Sequence, residues 1–154
     1  MRVIDATAAK PSVSVVRRFK ATPERVFDAW LNPELLVQWM FNPALRNEEV
    51  LRIAIDARVG GLFSFRIRRN DQNIHYIGKY LEVDRPQRLA FTWTNAPESP
   101  EPDVASRVIV EIAAQADGCR LALTHEIPPQ WAARMSQIEE SWTQELGVMA
   151  ALLS

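Results

Sequence analysis

The side chains most often used for catalysis and metal binding are scarce in this sequence. It contains two histidines, His75 and His125, and one cysteine, Cys119. A single cysteine excludes an intrachain disulfide bond and a cysteine-based zinc site. The two histidines are not accompanied by carboxylates at a metal-ligand spacing, so we predict that the protein has no metal and no cofactor.

His125 is the best candidate for chemistry. It shares one face of a predicted strand with Leu121 and Leu123, so its ring should lie where the sheet meets the core. Since the unperturbed pKa of histidine is close to neutral, the ring could orient a ligand or act as an acid or base. The alternative is a core histidine that is hydrogen-bonded to a backbone carbonyl or a tyrosine hydroxyl, because an unpaired polar group is costly to bury.

The remaining reactive or charged groups give weaker signals. His75 lies near a turn and is expected to be exposed, with a position beside Tyr80 or Glu82 at a cavity mouth as the alternative. Cys119 has no histidine near it in the sequence, so we do not expect it to act as a nucleophile, which would need a base or a cation beside it. Four charged residues are expected to form solvated ion pairs, namely Glu48, Glu49, Asp56 and Arg58.

The composition is that of a single globular domain rich in aromatic side chains. The chain has 154 residues, of which 47% are hydrophobic, and it includes six Phe, five Trp and two Tyr. A formal net charge of -1 argues against a general nucleic-acid binder and against a polybasic membrane anchor. No stretch approaches the ~20 apolar residues of a transmembrane helix, and the N-terminus lacks a signal-peptide pattern, so we expect a cytoplasmic location.

Hydrophobic periodicity predicts the order of the elements. A strand begins near Ser12, and two short helices follow, each starting with a capping residue and a proline, at Thr22-Pro23 and Asn32-Pro33. From Glu49 onward, a period of two predicts about six further strands, joined by short turns such as Asp117-Gly118. Turns of this length make neighbouring strands antiparallel.

After Pro128-Pro129, one long helix is predicted to run to about Leu153, a length of roughly 35 Å. Its apolar stripe recurs every three or four residues, at Trp131, Met135, Ile138, Trp142, Leu146, Met149 and Leu153. We therefore predict an α+β fold in which a curved antiparallel sheet of about seven strands wraps around this C-terminal helix. Residues 13–154 would form the single domain, residues 1–12 a weakly structured leader, and the proline-rich residues 95–103 a surface loop.

Four sequence blocks, in their order and spacing, carry a family resemblance. They are FKATPERVFDAW at 19–30 with residues 32–34 and Trp39; DARVGG at 56–61; GKYLEV at 78–83 with Pro86, residues 88–89 and residues 91–93; and LALTHE at 121–126, followed by Trp142. With these blocks the chain resembles the activator of heat-shock-protein-90 ATPase homologue family in its short bacterial form. That family belongs to the START-like, or SRPBCC, superfamily. One departure is Met40, where the family often has a second tryptophan.

The resemblance implies a helix-grip fold with a cavity between the curved sheet and the long helix. Members of the superfamily use such cavities for lipids, polyketides, hormones or other apolar molecules. The residues expected to line the cavity are Trp39, Phe63, Phe65, Tyr80, Phe91, Trp93, His125, Trp131, Met135 and Trp142. The alternative is that these side chains simply fill the core, since a chain of this length buries ~70% of its unfolded surface.

Three functional hypotheses follow from the resemblance. The first is the binding of a small apolar or lipid-like molecule in the cavity. The second is an enzyme of the polyketide cyclase or hydrolase type, in which His125 would act with Tyr80 or Glu82. The third is a partner-binding module, through chaperone binding or homodimer formation, for which the proline-rich loop and the two short helices offer surfaces.

Overall fold

The computed structural model describes residues 11–96 and 106–154. Residues 1–10 of the predicted leader and residues 97–103 of the predicted proline-rich loop lie outside the described residues. The strands in the described ranges are Ser12–Phe19 (β1), Glu48–Ile55 (β2), Leu62–Arg69 (β3), Gln72–Asp84 (β4), Arg88–Asn95 (β5), Ser106–Gln115 (β6) and Gly118–Glu126 (β7). The helices are Pro23–Asp28 (α1), Pro33–Trp39 (α2) and Met135–Leu153 (α3), with a 3₁₀ helix at Pro129–Arg134.

The strands form one antiparallel sheet in the order β1-β7-β6-β5-β4-β3-β2. Strands β2 to β7 follow one another as a meander, and β1 pairs with β7, where Val13 lies opposite His125. The apolar residues of each alternating pattern face inward, so that Phe63, Phe65 and Ile67 of β3 are buried while the residues between them are more exposed. Helix α3 packs against β1 and α2. The predicted α+β fold, with its sheet wrapped around a C-terminal helix, is thus confirmed.

Both short helices begin where the sequence predicts. The hydroxyl of Thr22 accepts a hydrogen bond from the backbone N–H of Arg25 at 3.2 Å, and Oδ1 of Asn32 accepts one from the backbone N–H of Glu34 at 2.9 Å. In each helix a proline occupies the first turn, where its missing N–H costs nothing. Helix α1 packs against β6, and α2 packs against β2 and α3.

The long C-terminal helix differs from the prediction at its start. Its first six residues form the 3₁₀ helix, and the α-helix begins only at Met135. Pro128 is extended, with φ −68° and ψ 151°, and the chain enters helical geometry from there without a side-chain cap. Tight 3₁₀ turns are frequent at such helix starts. The α-helix of 19 residues is therefore about 28 Å long, and Trp131 lies before it.

Two tryptophans at one end of the core differ in a single hydrogen bond. Trp30 and Trp39 are both buried and pack edge to face, with ring centroids 4.8 Å apart. Trp39 Nε1 donates to the carbonyl oxygen of Ala29 at 2.9 Å, whereas Trp30 Nε1 has no hydrogen-bond partner among the described residues. Packing and a hydrogen bond both hold Trp39, while packing alone holds Trp30.

Trp39→Phe is therefore expected to destabilise the fold more than Trp30→Phe. Both changes remove about the same ring volume, but only the first takes a donor away from a buried carbonyl, which costs about 1–3 kcal/mol. Urea unfolding should give a free energy of unfolding that is lower for Trp39→Phe by about that difference. Equal losses would show that the hydrogen bond to Ala29 contributes no net stability.

Candidate functional site

The aromatic rings at the centre of the sheet leave almost no free space. Phe63, Tyr80 and Phe91 have ring centroids 5.5 to 6.2 Å apart. Together with Phe65, Trp30 and their neighbours, they surround a void of about 10 Å³. A void of this size holds one water molecule at most. This part of the interior is a packed core with no room for an organic ligand.

A larger cleft lies between the sheet and the start of α3. It has two adjoining lobes of about 290 and 280 Å³. Both lobes are lined by Arg69, Tyr76, Trp93, His125, Arg134 and Ile138. The first lobe adds Met40, Phe41, Arg46, Gln137, Ser141, Trp142 and Glu145, and the second adds Ile74, Asn95 and Trp131. The cleft therefore combines aromatic walls with several charged groups.

The structure divides the ten residues predicted to line the cavity into three groups. Those on the cleft are Trp93, His125, Trp131 and Trp142. Those around the small void are Phe63, Phe65, Tyr80 and Phe91, with Trp93 shared between the two spaces. The other two do not line the cleft, because Trp39 is fully buried in the core and Met135 lies partly exposed in the first turn of α3.

His125 is held by hydrogen bonds at both ring nitrogens. Trp142 Nε1 donates to His125 Nδ1 at 3.1 Å, so Nδ1 is an acceptor and the ring proton lies on Nε2. Nε2 lies 3.0 Å from Ser106 Oγ, which in turn donates to the carbonyl oxygen of Trp93. Burial lowers the pKa of His125 to about 4, so the ring is neutral at pH 7. The partners are thus a serine and a tryptophan, where the sequence suggested a carbonyl or a tyrosine.

One wall of the cleft is a network of arginines and carboxylates. Glu48 Oε1 accepts from Arg46 Nε at 3.2 Å, and Glu48 Oε2 accepts from Arg69 Nε and Nη2 at 3.0 and 2.8 Å. Arg46 Nη2 also donates to Glu145 Oε2 at 2.8 Å. Arg69 Nη2 lies 3.4 Å from the Tyr76 hydroxyl. We call these five residues, Arg46, Glu48, Arg69, Tyr76 and Glu145, the polar wall.

The fold brings the polar wall together from separate elements. Glu48 and Arg69 lie directly opposite each other in the β2–β3 register. Arg46 precedes β2, and its Nη2 also donates to the carbonyl oxygen of Met40 just after α2. Glu145 projects from α3 and accepts a hydrogen bond from Arg46. The network therefore joins the edge of the sheet to both α2 and α3.

The charge on the polar wall depends on the protonation of Glu145. This residue is only 7% exposed, and burial raises the pKa of its carboxyl to about 7, although Arg46 and Arg69 lower it. Its carboxyl is therefore about half protonated at pH 7. When Glu145 is ionised, the two arginines and two glutamates balance. When it is protonated, the wall carries one excess positive charge.

The polar wall is not among the features predicted from the sequence, and the expectation that Glu48 belongs to a solvated ion-pair group is wrong. The Glu48 side chain is fully buried, at 0% exposure, rather than part of a solvated group. Asp56 and Arg58 do form an exposed ion pair, at 2.9 Å. A signal for Glu145 was present, because it lies three residues after Trp142 on the apolar stripe of α3, a position typical of buried residues.

The other reactive groups weighed in the sequence lie away from the cleft. His75 is half-buried on the outer face of the sheet, with its Nε2 2.6 Å from Ser64 Oγ. Cys119 is buried, and burial raises the pKa of its thiol, which disfavours the reactive thiolate. Glu82 accepts from Arg88 Nε at 3.0 Å in an exposed ion pair and is not among the residues lining the cleft.

In residues 11–96 and 106–154, no group of three or more His, Cys, Asp or Glu side chains is arranged to hold a metal ion. No helix within them is long and apolar enough to span a bilayer.

The architecture defines the class of the domain. A seven-stranded antiparallel sheet around a C-terminal helix, with two short helices between the first and second strands, is the helix-grip or START-like fold. A family model described as "Activator of Hsp90 ATPase homolog 1-like protein" matches residues 20–154. The chain belongs to this family. A comparison with curated proteins found no match.

Several solved structures share the fold over nearly the whole chain. Protein CV1439 from Chromobacterium violaceum is 28% identical, with a TM-score of 0.76 over 92% of this chain and 96% of that one. Protein NE0264 from Nitrosomonas europaea is 20% identical, with a TM-score of 0.75 over 99% and 97%. The AHSA1-like protein from Aeromonas hydrophila is 22% identical, with a TM-score of 0.73 over 94% and 96%. These similarities establish the fold.

Proposed function

We propose that the domain binds a small apolar molecule in the cleft between the sheet and the start of α3. The observation that carries this proposal is the contrast between a void of about 10 Å³ in the core and lobes of about 290 and 280 Å³ beside it. Ligand pockets usually measure about 300–1,000 Å³. Each lobe lies near the lower end of that range, which suits a compact ligand.

The walls of the cleft offer rings on which such a ligand can pack. Tyr76 and Trp93 stack on each other, with centroids 4.6 Å apart and an interplanar angle of 26°. Trp142 lies 6.5 Å from Trp93, and Ile138 adds an aliphatic surface from α3. Covering apolar surface of this kind contributes about 25 cal/mol for each Å² removed from water.

The surroundings of His125 support binding rather than the enzyme alternative. Both ring nitrogens are engaged, so Nδ1 can take a proton only if it gives up the hydrogen bond from Trp142. A general base works best with a pKa near the operating pH, and the pKa of His125 is about 4. Tyr80, a suggested partner, lies at the small void rather than on the cleft. We expect His125 to hold Trp142 in place as part of the wall.

Calorimetric titration with 2-naphthamide, a neutral two-ring compound, tests the proposed function. We expect saturable binding, and we expect Ile138→Trp to weaken it at least about tenfold, which corresponds to about 1.4 kcal/mol, because Ile138 borders both lobes. Val37→Trp places the same ring on an exposed position of α2 and should leave the affinity unchanged. No binding by the unmodified protein, or equal binding by Ile138→Trp in a folded state by circular dichroism, would contradict the proposal.

A further inference from the structure

The polar wall holds more charge than an apolar ligand requires. Glu48 is fully buried and uses both carboxylate oxygens to fix Arg46 and Arg69. These two arginines are thereby held at the edge of the cleft in a set orientation. The second carboxylate of the wall, Glu145, is about half protonated at pH 7, which leaves the wall short of negative charge.

We infer that the ligand is a compact aromatic carboxylic acid whose carboxylate binds the arginines of the polar wall in place of the Glu145 carboxylate. This inference rests on the proposed function and adds a chemical class to it. Arginine is the side chain best suited to a carboxylate, because its planar donors match the two oxygens. Arg46 and Arg69 are already ordered by Glu48, so little side-chain entropy would be lost on binding.

The aromatic part of the ligand follows from what lies beside the arginines. Arg69 Nη2 is 3.4 Å from the Tyr76 hydroxyl, and the Tyr76 ring stacks on Trp93. The cationic wall and the stacked rings are therefore contiguous. A planar ring system bearing a carboxylate can contact both at once.

Glu145 is the group that an incoming carboxylate would displace as the partner of Arg46. It is held by Arg46 Nη2 at 2.8 Å, but burial makes its ionised form costly. The charged and titratable groups that line the cleft around it are Arg46, Arg69, Tyr76, His125 and Arg134, and the buried Glu48 is hydrogen-bonded to Arg46 and Arg69. A ligand carboxylate beside Arg46 would add a negative charge to this set. Because Glu145 would then lose the charge and the hydrogen bond of Arg46, both of which lower its pKa, its buried carboxyl would bind a proton.

Binding of the acid should therefore take up a proton. With a pKa of about 7, the protonated fraction of Glu145 falls from about nine-tenths at pH 6 to about one-tenth at pH 8. An aromatic carboxylic acid, with a pKa near 4, stays ionised across this range. The affinity for the acid is expected to fall about tenfold between pH 6 and pH 8. The affinity for the corresponding amide should not change.

The experiment compares 2-naphthoate with 2-naphthamide by calorimetry at pH 6, 7 and 8 and constant ionic strength. Glu145→Gln keeps the size and the acceptor oxygen but removes the titration, so it should bind 2-naphthoate equally at all three pH values and about tenfold more tightly than the unmodified protein at pH 8. Glu140→Gln changes an exposed carboxylate on the same helix and should behave like the unmodified protein. Titrations of the unmodified protein in two buffers of different ionisation enthalpy should show uptake of about half a proton at pH 7.

The possible results separate the two proposals. If neither compound binds, the proposed function fails. If both bind with equal affinity at every pH, the ligand class inferred here is wrong while binding of a small apolar molecule stands. If 2-naphthoate binds more tightly but without proton uptake, or if Glu145→Gln keeps the pH dependence, the displacement of Glu145 is wrong. The proton-uptake measurement needs no variant, so it tests the inference even if Glu145→Gln does not fold.

Discussion

Replacing Glu48 by Gln is expected to lower the free energy of unfolding by about 3–5 kcal/mol. The Glu48 side chain is fully buried and bridges Arg46 and Arg69, whose side chains are themselves 21% and 27% exposed. A glutamine has the same shape but no charge, and its amide nitrogen cannot accept a hydrogen bond from either guanidinium. The substitution would therefore leave two largely buried arginines facing each other without their shared counter-ion.

The neighbouring Glu49 provides a matched control for this prediction. It lies on the same strand, but its side chain is 67% exposed and pairs loosely with Arg68, at 3.6 Å. Exposed pairs of this kind contribute about 0–1 kcal/mol, so Glu49→Gln should have almost no effect. Urea unfolding at pH 7 of both variants measures the difference. Similar losses of unfolding free energy for Glu48→Gln and Glu49→Gln would mean that the buried bridge of Glu48 contributes no more to stability than an exposed ion pair.

Much of the fold could be predicted from local patterns because each pattern has a direct structural cause. Alternation along residues 62–69 places Phe63, Phe65 and Ile67 on one face, and all three are buried. Thr22 and Asn32 accept hydrogen bonds from the first turns of their helices, as their types and the following prolines suggest. These features depend on residues close in sequence. The 3₁₀ start of the last helix is a difference in backbone hydrogen bonding, which an apolar spacing of three or four residues does not reveal.

The candidate site was harder to predict because it depends on packing between distant segments. The hydrophobic pattern places Phe63 and Trp93 on the same inner face of the sheet. It does not show that Phe63 borders the small void in the core, whereas Trp93 also lines the open cleft. Arg46 and Glu145 are 99 residues apart and meet only because α3 packs beside α2. Glu48 pairs with Arg69 through the β2–β3 register. The strand predicted from the sequence begins at Glu49 and leaves Glu48 out, so the prediction does not contain this pair.

The tight packing of the aromatic core depends on one glycine. Gly78→Ala is expected to lower the free energy of unfolding by more than about 3 kcal/mol. Gly78 faces inward on β4, opposite Phe63 in the β3–β4 register. A Cβ built there would overlap both the Phe63 ring and the backbone carbonyl oxygen of Thr92 on β5. Ordinary overpacking costs about 1–3 kcal/mol because side chains can move aside, but a carbonyl in the middle of a sheet cannot. Gly78, the first residue of the family block at 78–83, is therefore required because it has no side chain.

A double variant shows which of the two overlaps matters. If the Phe63 ring were the only obstacle, Gly78→Ala would cost little in a Phe63→Ala background, whereas the Thr92 carbonyl predicts the same large cost in both backgrounds. Gly147→Ala is the control, because the nearest atom to a Cβ there is Arg17 Nη1 at 4.0 Å, and in the middle of α3 the change should stabilise by about 1 kcal/mol. Thermal and urea unfolding should therefore move in opposite directions for the two glycines. A small loss of unfolding free energy for Gly78→Ala would mean that β4 and β5 can separate while the core stays intact. The small void in the core could then widen enough to admit a ligand.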